Sequence, residues 1–388
     1  MRRPNMQPYS KYDVTSLDKS LNSMCIMLER VNIRESKSID LTIGFLLKSL
    51  LTVMKLTGLY YEYSSKADKR KKNRLHLVYC LFICFLSWFN TLKFISVFLL
   101  TNYNYKIEQR LPSLMITIVS QLWLLLCSCT QTTFIISSYQ KNKFYTIMFD
   151  YKFCKRIKCQ SGISKYFKSG IYWVVTLCLI TILTNTFGFC LAYFGPSEYM
   201  KTFQMFLAPL HQKPTIISNI PYKLFICLLQ FYASAAWVLP PTLFSILCLI
   251  GFSEFQNFNE YIKQEVELSN AQQRVEYWRQ SHNKIIKLVH TLDSTFQIYV
   301  SLALSINIIM AFLMLYIIAT MWTQRIDLGT LLSVMVVFWA FASMFYVFVV
   351  AITAGLLNSV TRGSLTYLHQ LPATGCSIDF NTQQLNLI

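Results

Sequence analysis

Side chains that could recognise a small molecule recur at helical spacing inside long, charge-poor segments. The predicted ligand-binding residues are Ser113, Thr117, Gln121, Asn185, Phe189, Tyr193, Gln230, Tyr316, Thr320 and Trp339. The first six form two sets with intervals of four residues, and residues four apart lie on one face of a helix. Hydroxyl, amide and aromatic groups can hold a ligand by hydrogen bonds and stacking. Noncovalent binding is therefore the predicted chemistry, and no enzyme activity is expected.

Each of these residues also has a structural interpretation. Ser and Thr hydroxyls often bond to a carbonyl of their own helix, and aromatic side chains pack or anchor at the membrane interface. Asn307 is expected to make a hydrogen bond between helices rather than to touch a ligand. The charge-poor segments contain no Asp or Glu, which argues against a proton-coupled pump or carrier.

The elements that carry these residues are long apolar segments. The chain has 388 residues, of which 54% are hydrophobic and 14% charged, a composition typical of a membrane protein. Each of six segments exceeds the roughly 20 residues that a helix needs to cross a bilayer. The predicted spans are 75–101, 112–138, 171–194, 222–253, 295–322 and 328–361. We therefore expect an all-α, polytopic transmembrane helical bundle in the cell membrane.

Basic residues crowd alternate connections between these spans. Between the second and third spans, the single acid Asp150 faces eight basic residues: Lys141, Lys143, Lys152, Lys155, Arg156, Lys158, Lys165 and Lys168. Connections rich in Lys and Arg remain in the cytosol, so the N-terminus and this loop are predicted to be cytoplasmic. The formal net charge is +18, but most basic residues lie beside predicted spans, where anionic lipid headgroups attract them. No nucleic-acid partner is therefore expected.

Three regions are predicted to lie on the cytoplasmic side. Residues 1–74 contain an expected amphipathic helix at the membrane surface, 41–61, because Lys48 and Lys55 share one helical face; a crossing helix is the alternative. Residues 254–294 keep helical periodicity and form a predicted helical anchor between the fourth and fifth spans. Residues 362–388 form the C-terminal segment.

The twelve cysteines do not indicate a metal site or a disulfide framework. Eight lie within predicted spans, and the other four face the predicted cytosol. Cys154 and Cys159 have no nearby histidine to complete a zinc site. Reduced thiols that pack as small apolar groups are the expectation, and neither a metal nor a cofactor is predicted.

The predicted anchor contains a familiar order of residues: Phe255, Asn259, His282, Leu292 and Phe296. This order resembles the invertebrate gustatory receptor family of the insect chemoreceptor superfamily. Residues 373–379 and Leu385 are similar to the family's lead-in to its final helix. The family's seventh span, with a Thr-Tyr and a Gln-Phe, is not found in this sequence. We expect a truncation before that span, with a true six-span relative as the alternative.

The resemblance implies a chemosensory subunit of a ligand-gated, nonselective cation channel. Four like or related subunits would form a homo- or heterotetramer, with a small-molecule tastant or other chemical ligand bound in the outer half of each bundle. The anchor residues would be structural, although His282 could instead be an exposed helical residue and Asn259 could bond to a neighbouring helix. Without the seventh span, this chain alone is not expected to conduct.

Two other classes of protein compete with this interpretation. A G-protein-coupled receptor would need its N-terminus outside, and the sequence has neither an Asp-Arg-Tyr after the third span nor an Asn-Pro-x-x-Tyr. A small-solute transporter is the second alternative, and uptake without a ligand-evoked current would favour it.

Overall fold

Six long helices form the bundle. The structure is a computed structural model that describes residues 47, 49–61, 67–100, 107–139, 165–196, 219–267, 271–324 and 330–369. In chain order the helices are α1 (Ala67–Leu100), α2 (Ile107–Tyr139), α3 (Lys165–Phe194), α4 (Ile220–Glu267), α5 (Ala271–Gln324) and α6 (Thr330–His369). Each is long and apolar enough to cross a membrane. The prediction of an all-α membrane bundle and its six spans is confirmed.

Helix α4 lies at the centre of the bundle. Of its most apolar stretch, 89% is buried inside the protein, compared with 22% for α1 and 28% for α3. It packs against each of the other five helices. A helix that is apolar on all sides is suited to such a position. Pro240 and Pro241 lie within α4 without ending it.

Two helices are much longer than a bilayer requires. Helix α4 has 48 residues and α5 has 54, which correspond to lengths of about 72 and 81 Å. The hydrocarbon core of a bilayer is only about 30 Å thick. The two helices continue past their apolar stretches and pack against each other as a hairpin, with α4 ending at Glu267 and α5 beginning at Ala271. We call the end of the bundle where α4 ends and α5 begins the lower end, and the end where α3 finishes and α4 begins the upper end.

A short segment before α1 packs into the bundle. Residues 49–56 are helical, and the chain then turns at Gly58, whose φ is 73°. Gln131 on α2 donates a hydrogen bond from Nε2 to the Gly58 carbonyl at 2.7 Å. Met54 and Leu59 are fully buried. The helix within the predicted interfacial segment thus ends at residue 56 rather than 61, because the left-handed turn at Gly58 redirects the chain.

Candidate ligand-binding site

A hydrogen-bond network joins three helices in the upper half of the bundle. Asn185 on α3 donates from Nδ2 to Ser234 Oγ on α4 at 2.6 Å. Trp339 on α6 donates from Nε1 to Asn185 Oδ1 at 2.8 Å. Ser234 Oγ in turn donates to the Gln230 carbonyl at 2.7 Å. Asn185 is fully buried, so its amide holds α3, α4 and α6 in one arrangement.

Aromatic rings pack around this network. Phe189 lies one turn above Asn185, and its ring centroid is 6.2 Å from that of Trp123 on α2, with nearly parallel planes. The Trp339 ring is 6.3 Å from Phe189. Trp237 on α4 meets Trp123 edge-on at 6.3 Å. These four rings, with the Asn185 network, are called the upper cluster from here on.

A narrow void borders the upper cluster. It is lined by Val119, Ser120, Trp123, Trp237, Met310, Met314 and Trp339. Its cavity volume is about 10 Å³, room for about one water molecule and far below the roughly 300–1,000 Å³ of common ligand pockets. Met310 and Met314 have flexible thioether side chains that can adopt other rotamers. The void is therefore a closed pocket that two side chains could enlarge.

Several buried polar atoms in this half have no hydrogen-bond partner. They are Ser120 Oγ, Trp123 Nε1, Tyr193 Oη and both amide atoms of the Gln230 side chain. A buried polar group without a partner costs about 1–3 kcal/mol. Ser120 and Trp123 line the void, so a hydrogen-bonding molecule placed there would satisfy both. Any molecule larger than water would need the lining side chains, such as Met310 and Met314, to move.

Most predicted residues on α3, α4 and α6 fall in this region. Asn185, Phe189 and Trp339 contact one another directly, and the Tyr193 ring lies 6.4 Å from Phe189. Gln230 is fully buried and is joined to Asn185 through Ser234. The spacing of four on α3 placed its three residues correctly on the buried face.

The predicted stripe on α2 is displaced by one position. Thr117 and Gln121 are only partly buried, and Gln121 donates from Nε2 to the Thr91 carbonyl on α1 at 3.4 Å. The buried face instead carries Ser120 and Trp123. One position along a helix rotates a side chain by about 100°. The side chain of Ser113 lies outside the described residues.

On α5 the predicted residues do not join the cluster. Tyr316 is 46% exposed, because Met314 and Ile317 define the buried face and Tyr316 points away from it. Its side chain does not line the void beside the upper cluster. Thr320 is buried, but its hydroxyl donates to the Tyr316 carbonyl of its own helix at 2.8 Å. By contrast, Asn307 Oδ1 accepts a hydrogen bond from Trp237 Nε1 at 3.1 Å, so the predicted bond between helices is confirmed.

Six residues of the void were not predicted from the sequence: Val119, Ser120, Trp123, Trp237, Met310 and Met314. Trp123 could have been proposed from the sequence, because the N–H of a buried tryptophan usually has a hydrogen-bond partner. The two methionines could not, because methionine is a common packing residue in any apolar helix.

The predicted anchor residues are buried, and His282 packs inside the α4–α5 hairpin. The His282 ring lies 5.7 Å from Phe258 in a stacked arrangement and 6.1 Å from Phe255 edge-on. Phe255, Asn259, His282, Leu292 and Phe296 are all buried, so His282 is not the exposed residue of the alternative interpretation. Phe296 also packs against Phe134 on α2 at 5.7 Å, and the structural role of these residues stays a prediction. Residues 373–379 and Leu385 lie outside the described part of the chain.

Comparison with solved structures finds a similar helical fold. The fold resembles that of an insect olfactory receptor. The match to the insect olfactory receptor OR5 from Machilis hrabei has a TM-score of 0.57 and 14% sequence identity, and covers 92% of this chain and 89% of that one. The same receptor in complex with eugenol matches with a TM-score of 0.52 and 13% identity, over 89% and 88% of the two chains.

The likeness is one of structure. No model of a known protein family matches the sequence, and no curated protein matches it. At this level of identity the comparison establishes the helical membrane fold. The residues of the upper cluster must therefore carry any functional argument by their own geometry.

Proposed function

We propose that this chain is a chemosensory subunit of a ligand-gated, nonselective cation channel. The observation that carries the proposal is the upper cluster, where unpaired polar atoms and aromatic rings surround a closed void inside a chemoreceptor-like fold. Ser120 Oγ and Trp123 Nε1 border that void without a hydrogen-bond partner. The eugenol complex of the olfactory receptor supports a small organic ligand.

The lining of the void favours a neutral ligand. Its seven described residues include no ionisable acid or base. A charged ligand would be buried there without a counter-ion, which costs several kcal/mol. A sugar would bring more hydroxyl groups than the few unpaired atoms could satisfy. The ligand is therefore a small neutral molecule, aromatic in its body, with one or two hydrogen-bonding groups.

The Asn185–Trp339 bond offers a route from ligand to channel. It links α3 to α6 beside the pocket. Gly188 and Met335 form a second close contact between the same helices, because a Cβ atom on Gly188 would lie 2.6 Å from Met335 Sδ. A ligand that separates Trp339 from Asn185 would bind the two arrangements of α6 with different affinity, which is the requirement for gating.

The charge pattern supports an orientation with the upper end outside. Helix α3 begins at Lys165, at the end of the basic connection that should remain cytoplasmic. The hairpin would then project into the cytosol as the anchor between subunits, and the ligand would enter from outside. The gustatory type rests on the order of Phe255, Asn259, His282, Leu292 and Phe296.

Current recording tests the proposal. Cells that express the full-length gene product should be exposed to neutral phenols, sugars and amino acids, with G-protein signalling blocked. The expected result is a nonselective cation current evoked by a neutral aromatic compound. A response that disappears with the block would favour a G-protein-coupled receptor, and isotope uptake without current would favour a transporter. Either result would overturn the channel proposal.

A further inference from the structure

A second and wider cavity lies in the lower half of the bundle, far from the upper cluster. It is a groove between α4, α5 and α6, lined by Phe244, Cys248, Ile286, Val289, His290, Leu292, Asp293, Ala354, Leu357, Asn358 and Thr361. Its cavity volume is about 480 Å³. We propose that this groove binds a membrane phospholipid with a primary amine in its headgroup, of the phosphatidylethanolamine class.

The groove has an apolar floor and a polar mouth. Phe244, Cys248, Leu292 and Leu357 are buried in the floor. His290, Asp293 and Asn358 are exposed. A molecule that fills this groove must therefore have an apolar body and a polar head, which is the composition of a lipid.

The groove lies at the depth where headgroups are expected. The predicted fifth span begins at residue 295 and the sixth ends at residue 361, and the mouth residues Asp293 and Asn358 lie beside these limits. Immediately above, the exposed side chains are apolar: Ile298 on α5 is 73% exposed and Ile352 on α6 is 58% exposed. The groove is thus continuous with the lipid-facing surface, so an acyl chain can enter it without crossing water.

The charges at the mouth select the headgroup. The Asp293 carboxylate would repel a purely anionic lipid and would accept hydrogen bonds from a primary ammonium group. A choline headgroup has no N–H to donate. His290 lies one turn from Asp293 and can donate to the phosphate, with the exposed Lys287 a further turn below. The expected preference is for phosphatidylethanolamine over both phosphatidylcholine and phosphatidylglycerol.

Native mass spectrometry of the full chain tests this inference. The purified protein is incubated with equal amounts of the three lipids, and the retained lipid is identified. Phosphatidylethanolamine should be retained over each of the others by about tenfold, the range for loss of one charge-assisted hydrogen bond. Equal retention of all three lipids would overturn the proposal.

Two substitutions with matched controls localise the lipid. Ala354→Trp fills the groove and should abolish selective retention, whereas Ala351→Trp, on the exposed side of α6, should leave it unchanged. Asp293→Asn should keep the lipid but lose discrimination between ethanolamine and choline. Glu260→Gln, which changes an exposed acid on the hairpin, should keep that discrimination. If Ala354→Trp does not fold, as judged by its elution, Asp293→Asn decides. Unchanged discrimination in Asp293→Asn would contradict the assignment.

Photo-crosslinking separates a lipid from other occupants. A phosphatidylethanolamine with a photoreactive acyl chain should label peptides that contain residues 286–293 and 354–361. The proposal fails if the lipid does not label these peptides and a separate protein crosslinker joins them to residues 370–388 or to a second copy of the chain.

Discussion

The upper cluster and the α4–α5 hairpin both bury aromatic rings and unpaired polar atoms, but they organise them differently. In the hairpin, His282 lies between Phe255 and Phe258, and two helices adjacent in sequence hold each other. In the upper cluster, Asn185 ties together three helices and Trp123 borders a void. Burial of polar atoms alone therefore does not mark a ligand site. A void beside them, at a junction of several helices, distinguishes the upper cluster.

The largest effect is expected in the hairpin. Trp278 is fully buried, and Trp278→Ala should destabilise the protein by about 3–5 kcal/mol through the cavity it leaves. Thermal unfolding in detergent and surface expression measure the loss. Asn283→Ala, at an exposed site on the same helix, is the control. If Trp278→Ala and Asn283→Ala lower the stability equally, the hairpin is not the more rigid of the two regions.

The upper cluster should respond in function as well as stability. Asn185→Ala leaves the Trp339 N–H buried without its acceptor, which costs about 1–3 kcal/mol. Trp339→Phe removes the same bond from the other side. The two effects on ligand sensitivity should be non-additive by about 0.5–3 kcal/mol. Thr184→Ala, beside Asn185 but exposed, should leave ligand sensitivity unchanged. If the effects of Asn185→Ala and Trp339→Phe are strictly additive, the bond between these residues does not couple α3 to α6.

A smaller effect is expected for Gln230, where one substitution should raise the stability of the ligand-free protein and lower its sensitivity to ligand. Gln230→Met replaces the unpaired amide with an apolar side chain of similar length. The ligand-free protein should become slightly more stable, with a melting temperature about 2 °C higher, whereas ligand sensitivity should fall. A lower melting temperature would show that the amide already has a partner, which would remove Gln230 from the proposed site.

The smallest effect is expected at Tyr316. Because its side chain is exposed on the outer face of α5, Tyr316→Ala should leave the dose dependence of the response unchanged within about threefold. Phe189→Ala, inside the cluster, should abolish or strongly weaken the same response. A large shift in Tyr316→Ala would move ligand recognition to the bundle surface and weaken the distinction between the two regions.

The architecture could be predicted because lipid imposes a simple rule. Helices must satisfy their own backbone in the bilayer, so charge-poor segments such as 171–194 indicate spans directly, and the structure places α3 over Lys165–Phe194. The helical periodicity predicted for the start of the hairpin agrees with burial of Phe255, Phe258 and Ile262 at helical spacing. Its packing partners could not be read from the pattern, because burial of His282 depends on contacts between α4 and α5.

The site could be predicted only in part, because apolar spans conceal which face is buried. On α3, the set Asn185, Phe189 and Tyr193 shares a face and is buried together. On α5, apolar residues surround the helix, so the sequence did not show whether the side of Tyr316 or the opposite side of Met314 is buried. On α2, the partly buried Gln121 lies beside the buried face that holds Ser120.

Accessibility of a thiol in the void tests the central claim most directly. Ser120→Cys places a thiol among the lining residues, and the parent chain, whose eight described cysteines are free, provides the background. A small thiol-reactive reagent applied outside the cell should modify the Ser120→Cys variant faster than it modifies the parent chain. An activating ligand should slow this reaction. Modification at the same rate with and without ligand would contradict the assignment of the upper cluster as the ligand site.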